Sequence, residues 1–323
     1  MNDFPNHGLE KSPAYAGDLF LDIQVANLFG VGLDEAPAGR NQRTHQHVKG
    51  LIGFDRIFIA ANDCDDGSVR LLAALQSAAH IDFLRHSVAS GKVPQAEGYA
   101  RLRDRFDVDA ADWLMMLAVD EFVNVHMGDN TEKALLAAAP ADVDVIALNA
   151  MTFGPGGVAQ WHPGPVTHQF LHRLPEGHKA NGALKTLSRN PGHYGAIHNH
   201  SLTRYHGPKA RLTVMRGDGS LRGIDAGGPL WRELRHVPRA EIRHALAQYN
   251  HYATKTPDAY RLRQLRGRGA GPMGEPNLRH DASYFADRAS GLIRDTTSRR
   301  YADRLAATMA AMLADSDIRH WHH

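Results

Sequence analysis

Two adjacent carboxylates, Asp120 and Glu121, end one apolar run and precede another in DWLMMLAVDEFVNV over 112–125. A run rich in Leu, Met and Val suits a strand covered on both faces. In open α/β sheets, ligands gather beyond the carboxyl ends of such strands. Two carboxylates delivered there are costly unless something binds them, and the usual partner is a hard divalent cation carrying phosphate oxygens. A plainer reading competes with this one: a strand followed by a helix that one of the acids caps.

Two further strand ends carry similar groups. Asp34-Glu35 follows the apolar segment 19–33, and Asn62-Asp63, with Asp66 close behind, follows RIFIAA at 56–61. If these strands run parallel, their ends converge. The set can then hold a nucleoside by its base and ribose while Asp120 takes a cation that neutralises a diphosphate leaving group. Lys185 and Arg189 would add fixed positive charge to such a pocket. His198-Asn199-His200 reads three ways: metal ligands, general bases, or hydrogen-bonding loop residues. Two histidines two apart face the same way only in extended chain, and two ligands do not complete a metal site. His251, in Asn250-His251-Tyr252, is equally open.

The elements that must position these groups follow from the patterning. Residues 1–18 are polar and read as a flexible start. A strand over 19–33, a helix over 40–52 closed by Gly53, and a strand over 56–61 come next. Asp66-Gly67-Ser68 opens a helix over 69–79 with Leu71, Leu72 and Leu75 on one face, and 81–84 reads as a strand. The charged stretch 87–109 is an excursion or a helix. Then follow a helix over 131–139, a strand over 143–150 and a Gly/Pro-rich loop, TFGPGGVAQWHPGP, that reads as a surface cover. From about Asp281 the chain is Ala- and Arg-rich and helical, with Arg294, Arg299, Arg300 and Arg304 as a solvated face. The expected organisation is an α/β domain over 19–255 and a helical extension over 256–323.

A chain of 323 residues can bury a sizeable core in one large or two small domains. Basic and acidic residues nearly balance, 37 against 35, so composition gives no argument for nucleic acid. The 21 histidines make the surface charge pH-sensitive. Cys64 stands alone, which excludes an intramolecular disulfide and suits a reducing compartment. No stretch approaches the roughly 20 apolar residues of a spanning helix, and the first residues lack a basic start followed by an apolar core. The expectation is a cytoplasmic protein whose membrane association, if any, is peripheral.

Several segments together carry a likeness: DEAP at 34–37, GFDRIFIAANDCDDGS at 53–68, DWLMMLAVDEFVNVHMGD at 112–129, FGPGG then PVTHQF within 153–170, LKTLSR at 184–189, YNHYATKTPDAY at 249–260 and RGRG at 266–269. In order and spacing they resemble bacterial glycosyltransferases of the GT-A fold, of the family 2 type and related to family 92. The resemblance implies a Rossmann-like mixed sheet flanked by helices. It also implies a nucleotide-sugar donor, a UDP-sugar in the first instance, and a divalent metal, Mn2+ or Mg2+, gripped by an acidic D-x-D-type element. The acceptor would be a glycan or other hydroxyl, the transfer inverting, and the setting polysaccharide biosynthesis. By the same likeness Glu35, Asn62 and Asp63 lie near the nucleoside, Asp120 near the metal, and Lys185, His200 and His251 near phosphate or acceptor. Glu121 is a candidate catalytic base.

The chain departs from that pattern in three places. Ala118 stands where the first acid of D-V-D-E-F is expected, and losing a carboxylate weakens a hard-cation site. His168 stands in PVTHQF where an acid is expected, at a position for a general base or an acceptor contact. The loop after Pro37, AGRNQRTHQHV, replaces a more apolar helix. Two other functions therefore compete: a GT-A-like binding domain without catalysis, and a metal-dependent phosphoesterase or nuclease built on His198-Asn199-His200.

Overall fold

The computed structural model describes residues 25–31, 53–64, 67–162, 164–266, 268–275 and 277–322. The strands of the first half are β1 (Val25–Val31), β2 (Arg56–Asn62), β3 (Asp82–His86), β4 (Trp113–Leu117), β5 (Glu121–Val125) and β6 (Val143–Gly154). Those of the second are β7 (His172–Arg173), β8 (Leu184–Arg189), β9 (Tyr194–Ile197), β10 (Leu202–Tyr205), β11 (Arg211–Arg216), β12 (Leu221–Asp225), β13 (Ala247–His251) and β14 (Ile293–Arg294). Helices before residue 240 are α1 (Ser68–Ser77), α2 (Pro94–Arg105), α3 (Glu132–Ala138), α4 (Val166–Gln169) and α5 (Leu230–Glu233). Later come α6 (Pro257–Arg266), α7 (Ala282–Ala289), α8 (Ala302–Leu313) and α9 (Ser316–His322).

Among the described residues twelve strands form one mixed sheet with its main order β12-β11-β6-β8-β4-β1-β2-β3. β13 joins β6 to β5, β7 joins β6 to β14, and β9 with β10 forms a separate hairpin. Helices flank this sheet, giving a mixed α/β architecture. No helix among the described residues is long and apolar enough to cross a membrane.

All five residues of β4 are buried, as the unbroken apolar run requires. Alternation splits them between two cores. Leu114 and Met116 pack with Phe58, Val145, Tyr99 and Leu102, whereas Trp113, Met115 and Leu117 pack with Ile146, Leu135 and Tyr249. α2 supplies Tyr99 and Leu102 to the first core, so part of the charged 87–109 stretch is a helix with a proline in its first turn. α3 serves the second, its N-terminus capped by the Thr131 hydroxyl, which accepts the Ala134 N–H at 3.2 Å.

Three expectations change. The first strand is antiparallel to both neighbours: Val25 pairs with Ala61 and Asn27 with Leu117. The carboxyl end of β1 therefore lies at the opposite edge from Asn62 and Asp120, and the three strand ends do not converge. Second, the residues after Asp120 are neither a continuation of β4 nor a helix. They form β5, which pairs antiparallel with β13. Third, β6 runs four residues past Ala150, because Ala150–Thr152 pair with β13 and Phe153 and Gly154 pair with β7. Residues 1–18, the helix expected over 40–52, Glu35 and Asp66 lie outside the described residues.

The chain beyond 256 packs back on the sheet. β14 extends β7, and Ile318 of α9 is buried against Leu71 and Leu75 of α1. Arg300 and Arg304 of the expected solvated face donate to the carbonyls of Val125 and Asp129 at 2.8 and 2.6 Å.

Candidate functional site

β4 ends at Leu117, and Ala118–Asp120 turn the chain into β5. The Glu121 N–H donates to the Ala118 carbonyl at 3.0 Å, and Oε2 of Glu121 accepts the Ala118 N–H at 2.7 Å. The acids thus reach the carboxyl edge of the sheet on a tight turn. β8 is antiparallel to β4, with Met115 opposite Leu187, so its second residue, Lys185, arrives at the same edge. Lys185 Nζ lies 2.7 Å from Glu121 Oε2 and also donates to the Asn199 carbonyl at 2.6 Å. β13 brings His251 opposite Glu121 in the β5 ladder.

α6 contributes the remaining charge. The Thr256 hydroxyl accepts the Ala259 N–H at 3.3 Å at the start of this helix, and Pro257 suits the position that follows. Tyr260, packed on Phe285 with ring centroids 5.1 Å apart, fixes α6 against α7. The next turn carries Arg263, whose guanidinium donates to Oδ2 of Asp120. His251 Nε2 stands 3.8 Å from the same oxygen, and the Asp120 carbonyl accepts the Tyr252 N–H at 2.9 Å.

Burial works to raise the pKa of Asp120, but Arg263, His251 and Lys255 outweigh it and hold the carboxyl ionised well below the usual range. Burial lowers His251, against the pull of Asp120 and Glu121, so Arg263 is the principal counter-charge. His200 is lowered to about 3 by burial and by Lys185. Its Nδ1 lies 2.7 Å from the Leu184 carbonyl, which fixes Nδ1 as the protonated donor and leaves Nε2 an acceptor.

Asp120, Glu121, Lys185, His200 and His251 all line one cavity of about 780 Å³. Its wall also presents Lys179, Arg263, Arg268, Arg279 and Arg288, so that six Lys and Arg side chains face four carboxylates, the other two being Asp281 and Asp287. A second cavity of about 550 Å³ takes Met151 and Gln248, where the first takes Thr152 and Tyr249 on the opposite face of β6 and β13. It holds none of the expected site residues. Its Arg173 and Arg243 are already paired, with Asp295 at 2.8 Å and Asp218 at 3.2 Å.

Other expected residues stand apart. Asn62 and Asp63, at the end of β2, do not line the large cavity. Asp63 accepts the Val88 N–H at 3.3 Å and the Asn62 amide at 3.4 Å, holding the loop after β3. His168 sits in α4, away from the cavity. Arg189 lies at the far end of β8, its guanidinium over the Trp113 ring at 4.7 Å.

No family model, no curated protein and no solved structure matches the chain. The site must be judged on its own donors.

A Mn2+ or Mg2+ ion needs several oxygen donors open to it. Here Ala118 offers no side-chain donor, Arg263 and His251 crowd Oδ2 of Asp120, and Lys185 with the Ala118 N–H takes Oε2 of Glu121. Among the described residues no group of three His, Cys, Asp or Glu side chains is arranged to hold a metal. The residues in place do not fit the divalent cation that the resemblance implies.

Sequence reasoning missed Arg263, Arg268, Arg279 and Arg288. The available signal was the density of basic residues between 261 and 288, a stretch with too few acids of its own to pair them.

Proposed function

We propose that the chain is a GT-A-type glycosyltransferase, which takes a nucleotide sugar into the large cavity and passes the sugar to a glycan or other hydroxyl acceptor. One observation carries the proposal: at the carboxyl ends of β4 and β13 a single cavity of about 780 Å³ sets the acids of the β4–β5 turn against Lys185, Arg263 and Arg288. Its excess of cations suits a phosphate-bearing ligand, because guanidinium groups meet phosphate oxygens in bidentate fashion. The resemblance of the segments at 53–68, 112–129 and 249–260 supplies the sugar-transfer chemistry.

In the transfer, the acceptor oxygen attacks the anomeric carbon, and the bond from that carbon to the donor phosphate breaks. The diphosphate leaves with the electron pair, stabilised by the cations of the wall. The hydroxyl proton passes to a carboxylate, a role assigned to Glu121. A single displacement of this kind inverts the anomeric centre.

A second reading keeps the ligand and drops the turnover. Ala118 and the neutralised carboxylates favour it. Titration of the full chain with UDP, GDP, CMP and dTDP, followed by transfer and hydrolysis assays with the matching nucleotide sugar, decides between them. Binding of one nucleotide with turnover that Glu121→Gln abolishes supports the transferase. Binding without turnover leaves a binding domain, and no binding sinks both. The hydrolase reading needs a third ligand beside His198 and His200, and among the described residues no three His, Cys, Asp or Glu side chains are grouped to hold a metal.

A further inference from the structure

We infer that Arg263 and Lys185 together take the place of a divalent cation at this site, so that the donor diphosphate binds without metal. The inference rests on the nucleotide-sugar reading and adds to it the means by which the leaving group is neutralised.

Three observations point the same way. The acid that would begin a D-x-D-type element is Ala118, so one donor is gone. Of the two acids that remain, Asp120 is 5% exposed and its Oδ2 accepts from Arg263, while Glu121 is 8% exposed and its Oε2 lies 2.7 Å from Lys185 Nζ. A dication coordinated by Asp120 would have to stand beside the guanidinium, where like charges a few ångströms apart repel strongly in a partly buried setting. Asp120 therefore acts as a positioning residue, and Glu121 positions Lys185 through Oε2 besides taking the acceptor proton. They hold Arg263 and Lys185 at the edge of the cavity, as second partners hold the ligands of a metal site.

The wall extends this charge. Arg268, Arg279 and Arg288 line the same cavity, and the Arg288 guanidinium lies over the Tyr284 ring, 3.4 Å from its centroid, with Nη1 3.3 Å from the Tyr284 carbonyl. A stacked, hydrogen-bonded guanidinium is held in one orientation, which suits recognition of a planar pair of phosphate oxygens. The class of ligand is a nucleoside diphosphate ester. The same clamp stabilises the charge that develops as the diphosphate departs, the service that arginine and lysine clamps give in phosphoryl chemistry.

The experiment compares calorimetric titration of UDP, GDP and dTDP into the full chain in EDTA and in manganese. Manganese alone is followed in parallel by the electron paramagnetic resonance of the free ion. The expected result is one nucleotide bound with affinities that agree within about threefold in the two buffers, a difference of under about 0.7 kcal/mol. The free-ion spectrum should stay unchanged on adding protein. Arg263→Ala should weaken the diphosphate by about tenfold or more while leaving the nucleoside nearly unaffected, and Arg263→Lys should recover part of the loss. Binding that needs manganese, or manganese bound by the wild type and released by Asp120→Asn, overturns the inference and leaves the nucleotide-sugar reading standing. No nucleotide bound in either buffer overturns that reading itself, and the inference with it. If Arg263→Ala fails to fold, the wild-type comparison still decides.

Discussion

Lys185 Nζ lies 2.7 Å from Oε2 of Glu121, with only 3% and 8% of the two side chains exposed. A buried pair of this kind is costly to break and inexpensive to remove whole, because the penalty falls on the charge left behind. Lys185→Met is therefore expected to cost about 3–5 kcal/mol of stability. Combining it with Glu121→Gln should return more than half of that loss while restoring no nucleotide binding. Urea unfolding of the two single variants and the double variant measures the coupling. Additive losses would mean that the pair does not hold the turn.

Gly154 links the sheet to the arginines of the cavity. It is the last residue of β6, and a Cβ there would run into the backbone carbonyl of Arg288 and approach the Cα of Ala289 to 3.3 Å. Backbone cannot yield as a flexible side chain can. Gly154→Ala should push the end of α7 outward at a cost of about 1–3 kcal/mol. The displacement carries Arg288 with it, so UDP affinity should fall severalfold while uridine affinity changes little. Thermal melting and paired titrations test this, and equal losses for UDP and uridine would refute it.

These relationships mark how far the sequence could be read. The β4 run was legible because burial on both faces leaves one pattern available, an unbroken apolar segment. The destination of Asp120 and Glu121 was legible for the same reason. Their partners were not. Arg263 lies 143 residues from Asp120, and nothing in PDAYRLRQLR distinguishes an inward arginine from a solvated one. β5 was hidden by its brevity, since five residues show no period on their own and the strand exists because β13 pairs with it. The direction of β1 depends on pairings with β2 and β4 that local pattern does not encode. Thr152–Gly154 read as loop because glycine weakens a strand, yet the ladders to β13 and β7 override that preference.

Glu132 gives a pH dependence remote from the site. It is fully buried at the start of α3, with neither carboxylate oxygen hydrogen-bonded among the described residues. Burial pushes its pKa up to about 8. The folded state then holds a proton that the unfolded state releases near the usual value of 4.5, so stability falls as pH rises from about 4.5 to about 8 and levels off above that. At about 1.4 kcal/mol per pKa unit the full effect is on the order of 5 kcal/mol. Glu132→Gln should remove the dependence, matching the wild type near pH 5 and exceeding it at pH 8.5. Chemical unfolding at both pH values checks this, and an unchanged slope would mean that Glu132 is paired and ionised in the fold.

Ala118→Asp tests why the site departs from a metal-binding pattern. Ala118 lines the cavity beside Asp120 and Glu121, so the new carboxylate would stand two residues before a pair of acids whose charge Arg263 and Lys185 already balance. An unbalanced third acid in this partly buried place has two outlets: a proton or a cation. With manganese present the cation should win. The variant should quench the free-ion resonance that the wild type leaves unchanged, and its nucleotide affinity should become manganese-dependent. Without metal, the added negative charge facing the diphosphate should weaken binding by about tenfold, the effect of one adverse charge contact worth about 1.4 kcal/mol. A variant that gains no manganese affinity would show that the lost carboxylate is not what keeps the ion out, and would shift the cause to the Arg263 guanidinium seated on Asp120.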